Sequence, residues 1–122
     1  MTAAELAAAL RAHAQGLHHL EAATEMMINH AGWLRRADFH RFLHTATGLI
    51  DATPMTAIDW AHAITALDHR QLPCSGGEAR ILRLAASLAH GIPVDLGDAL
   101  TGLDAHNADL VAHAVKHATG HR

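Results

Sequence analysis

This sequence has one cysteine, no tyrosine, two phenylalanines and two tryptophans, so aromatic residues make up 3% of its 122 positions. The lone Cys74 excludes an intrachain disulfide and suits a reducing compartment. Charged residues are also few, at 17%, and the formal net charge of −3 provides no chain-wide attraction to nucleic acid. No uncharged apolar run approaches the ~20 residues needed to cross a bilayer. The opening MTAAELAAALRAHA carries Glu5 and no leading basic cluster, so it reads as an amphipathic helix and not as a signal peptide. The expectation is a cytoplasmic protein that does not enter the membrane, with residues 1–122 forming a single domain.

Half of the residues are hydrophobic. Many are alanines, which let helices approach closely but bury little area each, and so favour a partner. The thirteen histidines are the unusual feature. They fit the codon usage of a high-GC genome, but they also have a physical consequence. Imidazoles ordinarily titrate near pH ~6.5, and protonating all of them would carry the formal total from −3 to +10.

Helical punctuation recurs along the chain without strand alternation. Leu6, Ala9, Leu10 and His13 share one stripe before Gly16, which places His13 at a helix interface. Leu17, Leu20, Thr24, Met27, Ile28 and Ala31 form a second stripe, ending at Gly32. Asp38 can cap a third helix bearing Phe39, Phe42, Leu43 and Ala46, with Gly48 as its stop. After Pro54, Thr56 to Asp59 resembles a capping box opening a helix that buries Trp60, Ile64 and Leu67. A short helix around residues 95–101 and a last one from about Ala105 to Thr119, capped by Asp104, complete the pattern. It predicts an all-α fold, a compact orthogonal bundle of about five to seven helices.

The stretch SGGEARILRLAASLAH begins at Ser75, and a similar SGGE opens the helix facing ATP in ATP-binding cassette proteins. That reading needs a Gly-rich phosphate loop and a strand acid for Mg²⁺, and the sequence supplies neither. Ser75 and Glu78 instead form an S-x-x-E capping box, in which hydroxyl and carboxylate each accept from the other residue's backbone N–H. The helix so opened places Ile81, Leu84, Ala85 and Leu88 on one face and stops at Gly91 and Pro93.

Several motifs occur in a definite order. E-A-A-x-E-x-x-I-x-H spans Glu21 to His30, W-L-x-R-x-D-F spans Trp33 to Phe39, and I-D-W spans Ile58 to Trp60. S-G-G-E-x-R-I-L-R-x-A-A-S-L-A then starts at Ser75, and G-L-D-x-x-N at Gly102. Over roughly residues 17–120 this order resembles a group of small uncharacterised all-helical proteins from high-GC, actinobacterial-type bacteria. The resemblance implies a helical fold and no activity, so it carries no functional residue with it.

Three constellations could carry chemistry. His106, His113 and His117 fall on one stripe, and the i, i+4 pair His113 and His117 has a spacing that can clamp Zn²⁺ or Ni²⁺. No third ligand is identifiable, so a solvated or interface stripe is the alternative; His40 and His44 repeat the spacing. Arg35, Arg36 and Arg41, with Arg80 and Arg83, would make an anion or nucleic-acid patch if the fold brought them together. The last helix offers Asp109, His113, Lys116 and His117, which is poor chemistry for reading DNA. Cys74 precedes a helix N-terminus, where the dipole can lower a thiol pKa, but no histidine partner is apparent. No cofactor is expected, and no catalytic constellation emerges. The resulting expectation is a non-catalytic protein-interaction module, binding a protein partner or forming a homodimer. The alternatives are a DNA-associated accessory protein using the arginines and, third, a metal-binding protein.

Overall fold

The computed structural model describes residues 1–121 and is mostly helical, with seven α-helices and one two-stranded sheet among those residues. The order is α1 (Ala3–Ala14), α2 (His18–His30), α3 (Gly32–Arg35), a 3-10 turn (His40–Phe42), β1 (Leu43–Thr47), β2 (Pro54–Ile58), α4 (Trp60–Asp68), α5 (Gly76–His90), α6 (Leu96–Leu100) and α7 (Ala105–Ala118). No helix among the described residues is long and apolar enough to cross a membrane.

α2 is the hub. Its buried residues Ala22, Ala23, Thr24, Met26 and Met27 lie on more than one side, because α1, α5 and α7 all pack against it. α7 runs antiparallel to it, with His117 beside Glu21 near the start of α2. Small side chains make these close approaches feasible, and Ala22, Ala23, Ala85, Ala86 and Ala114 are buried among the contacts. The bulk is supplied by a few large residues. Trp33 is fully buried and donates its indole N–H to the Glu78 carbonyl at 2.9 Å. Its ring lies 5.5 Å from Phe39, which lies 5.7 Å from Phe42. Burying side chains of this size contributes roughly 1.5–3 kcal/mol each.

Helix ends follow local chemistry. Thr2 with Glu5, and Ser75 with Glu78, form reciprocal capping boxes on α1 and α5. Asp59, Asp95 and Asp104 cap α4, α6 and α7 by accepting the backbone N–H three residues on. Gly91 ends α5 in the left-handed region. The end of α2 differs from expectation, since Ala31 and not Gly32 takes the left-handed conformation, at φ 65°.

The fold is not purely all-α. The segment expected as a third helix supplies the 3-10 turn and β1, and the stretch expected as a turn and capping box supplies β2. In the antiparallel hairpin Leu43 pairs with Ile58, Thr45 with Thr56, and Thr47 with Pro54. Threonines at 45, 47 and 56 favour extended backbone, and the Gly48–Thr53 turn is closed by the Gly48 N–H to the Thr53 carbonyl and by Asp51 accepting from the Thr53 N–H. Thr56 is therefore not part of a capping box. Its buried hydroxyl bonds the Thr45 hydroxyl at 2.8 Å, while the Asp59 N–H goes to the Phe42 carbonyl. β2 packs along α1, and β1 forms the outer edge.

Candidate functional site

An open groove of about 820 Å³ lies between α1 and α7, with α2 beneath. Apolar spacing on α1 turns Leu10 and Ala14 inward, which leaves Ala8, Ala12 and Gln15 along the groove. α7 contributes His113, Lys116 and His117, with His121 just beyond its end, and α2 contributes Glu21, Thr24 and Glu25. A smaller hollow of about 260 Å³ shares Glu25, His113 and His117 with it and continues to Met26, Asn29, Leu110 and Ala114. The two make one furrow with a floor rich in alanine.

Its polar groups are largely tied to one another. The Arg11 guanidinium donates to both Glu25 oxygens, at 2.8 and 3.0 Å, and so links α1 to α2. Glu21 accepts from the Gly16 N–H at 3.1 Å and from His117 Nε2 at 3.4 Å. His113 Nδ1–H donates to the Asp109 carbonyl at 2.7 Å, leaving Nε2 directed elsewhere. The expected pair His113 and His117 is thus brought to one furrow. Among the described residues, however, no three His, Cys, Asp or Glu side chains come together as a metal-holding group. His106 is exposed at the other end of α7. His40 and His44 share no helix: the His40 ring bonds the Leu34 carbonyl, and His44 lies in β1, 3.7 Å from Asp59.

The arginines are distributed differently from a phosphate-binding patch. Arg36 is bidentate to Asp38 at 2.9 and 2.6 Å, lies over the Trp33 ring, and sits 3.8 Å from Glu78. Arg83 holds Asp68 at 2.7 Å, and Arg41 stacks on Phe42. Arg80 folds over Gly76 and Gly102, and Arg35 is exposed. One guanidinium in each cluster is therefore neutralised by a carboxylate, Arg36 by Asp38 and Arg83 by Asp68.

Two other expectations change. The Cys74 thiol is pushed up, first by burial and then by the Glu78 charge, with Arg36 and Arg83 opposing; this disfavours a thiolate. His13 is exposed, so it is not an interface group. The buried histidine nitrogen is His30 Nδ1, which has no hydrogen-bond partner. Burial depresses the His30 pKa, with Glu78 and Asp104 opposing and His106 reinforcing the shift. No periodic signal marks this position, because His30 lies at the end of α2. Ala8, Ala12 and Gln15 follow an i, i+4, i+7 spacing opposite Leu6 and Leu10, but nothing local in the sequence ties that face to α7.

No protein-family model matches the chain, and neither a curated protein nor a solved structure matches it. The motif resemblance consequently rests on the quoted residues alone.

Proposed function

We propose that the protein is a non-catalytic protein-interaction module that receives a helical segment of a partner in the α1–α2–α7 furrow. The supporting observation is the α1 wall, where Ala8 and Ala12 leave room for another backbone to approach closely, with the half-buried Leu110 offering apolar contact on the α7 side. Amphipathic helices commonly bind in grooves of this kind. Along α7 the lining runs from Leu110 to His117, about 10 Å at 1.5 Å per residue, and continues toward His121. That suits two to three helical turns. A DNA-associated role draws less support, because Arg36 and Arg83 already hold carboxylates. Cys74 does not line the furrow, so it supplies no nucleophile there.

The test is quantitative affinity capture from the native host with wild type and an Ala8→Gln/Ala12→Gln double variant. Both substitutions keep good helix formers on α1 while crowding its wall of the groove with polar side chains. A partner retained by wild type and lost by the variant at unchanged melting temperature is the expected result. An identical set retained by both proteins excludes the furrow as the docking site.

A further inference from the structure

The hairpin's hydrogen-bond register leaves the outer edge of β1 open. Asp59 N–H donates to the Phe42 carbonyl and Gly48 N–H to the Thr53 carbonyl. With Leu43 opposite Ile58 and Thr47 opposite Pro54, the even-numbered residues of β1 therefore exchange bonds with β2. The N–H and C=O groups of Leu43, Thr45 and Thr47 point away from β2. The Leu43 N–H is used by the His40 carbonyl. Pro54, which has no N–H to offer, occupies an outward-facing position on β2, in keeping with this register.

β1 is exposed from His44 to Thr47. Natural edges are commonly guarded by lysine, proline, a bulge or an inward charge. The β1 sequence LHTAT contains no Asp, Glu, Lys, Arg, Pro or Gly. Beside it, Leu49 and Ile50 in the turn are fully exposed, the most exposed large hydrophobic side chains among the described residues.

We propose that β1 pairs antiparallel with β1 of a second copy across a twofold axis at Thr45, giving a four-stranded sheet in the order β2–β1–β1–β2. Such an axis sets each residue opposite its symmetry counterpart about the centre. An outward-pointing residue must therefore stand on the axis if the central pair is to exchange hydrogen bonds, and centring on Thr45 overlaps the whole strand. Thr45 then exchanges N–H and C=O with Thr45 of the partner subunit, and the Thr47 N–H reaches the carbonyl of the partner's Leu43. His44 faces the partner's Ala46, so no like charges meet, which matters between chains of net charge −3. The same register carries the turn bearing Leu49 and Ile50 past the partner's Leu43, toward its Phe42. One arrangement thus covers both the open edge and the exposed aliphatic pair, and the contact is isologous and closed. It uses a surface separate from the furrow and stands whether or not the furrow binds a partner.

Sedimentation equilibrium of the full chain tests this through its register. His44→Lys combined with Ala46→Lys places like charges in both cross-pairs and should weaken the dimer about tenfold. His44→Lys combined with Ala46→Glu places opposite charges in the same pairs and should leave it at least as tight as wild type. Leu49→Asp with Ile50→Asp should weaken it as well. Circular dichroism at low concentration reads whether each variant folds. A wild-type protein that stays monomeric over the accessible concentration range overturns the proposal. So does a dimer that both charge variants weaken equally while remaining folded.

Discussion

The imidazole of His30 lies directly against Gly32: a Cβ at residue 32 would sit 2.9 Å from Cε1 and 3.2 Å from Nδ1. Glycine at this position lets the ring close over the junction between α2 and α3, where Nδ1 is buried without a partner. Burial holds the folded pKa below its ordinary value. A depressed histidine favours the fold while neutral in both states, so its contribution is present above the unfolded pKa and is lost as pH falls through ~6.5 toward the lower folded value. Thermal melts from pH 8 to pH 5 at fixed ionic strength should fall more steeply for wild type than for His30→Met. Equal slopes would assign the pH dependence to other groups.

Ser75 and Glu78 close the N-terminus of α5 reciprocally, at 3.1 Å for the Glu78 N–H to Ser75 Oγ and 3.0 Å for the Ser75 N–H to Glu78 Oε1. Loss of such a cap typically costs about 0.5–2 kcal/mol, and Ser75→Ala should fall in that range by urea denaturation. The backbone bond from Ser75 holds the Glu78 carboxyl below its usual range. Its stabilising effect is therefore present above the unfolded carboxyl pKa and disappears as pH drops through the folded one. Glu78→Gln should consequently flatten the acid limb of the stability profile. ATP should leave the melting temperature unchanged; a shift abolished by Gly77→Ala would show instead that the glycines admit phosphate.

The caps at Ser75 and Asp104 were legible because they are local, each bonding an N–H three residues on, whereas the cap expected at Thr56 falls to Asp59 because Thr56 is drawn into the hairpin. The face of α5 was legible for the same reason, and Ile81, Leu84 and Ala85 are buried as their spacing requires. The hairpin was not. Phe39, Phe42, Leu43 and Ala46 are spaced as a helix would need, and extended structure is held by contacts across the turn that no local pattern shows, the Thr45–Thr56 bond among them. The furrow was half visible. His113 and His117 advertise one wall by their i, i+4 spacing, whereas the opposite wall comes from Ala8, Ala12 and Gln15 near the other end of the chain.

His113 and His117 share the furrow, but their nitrogens are aimed at different partners, the Asp109 carbonyl and Glu21. Added zinc or nickel should not raise the melting temperature, and protein purified without an affinity tag should carry no stoichiometric ion. His117→Ala removes one of the bonds to Glu21 while the Gly16 N–H remains, so a cost of about 0.5–1.5 kcal/mol is expected. One tightly held ion per chain by elemental analysis, absent from that variant, would restore the metal reading.

The Thr45–Thr56 hydroxyl bond offers the sharpest check on the hairpin, because its two ends differ in burial. Thr56 is fully buried, whereas Thr45 is exposed. In Thr56→Val the Thr45 hydroxyl can turn to water, so only the net worth of the bond is lost, roughly 0.5–1.5 kcal/mol. In Thr45→Val the bulk and the β-branch are kept, but the Thr56 hydroxyl is left buried with no partner, at a cost of about 1–3 kcal/mol. Removing the exposed group should therefore destabilise more than removing the buried one. Urea denaturation of both variants at low concentration, where association does not contribute, measures the difference. The opposite order, or the absence of any cost in either variant, would mean that residues 43–47 and 54–58 are not paired in this register.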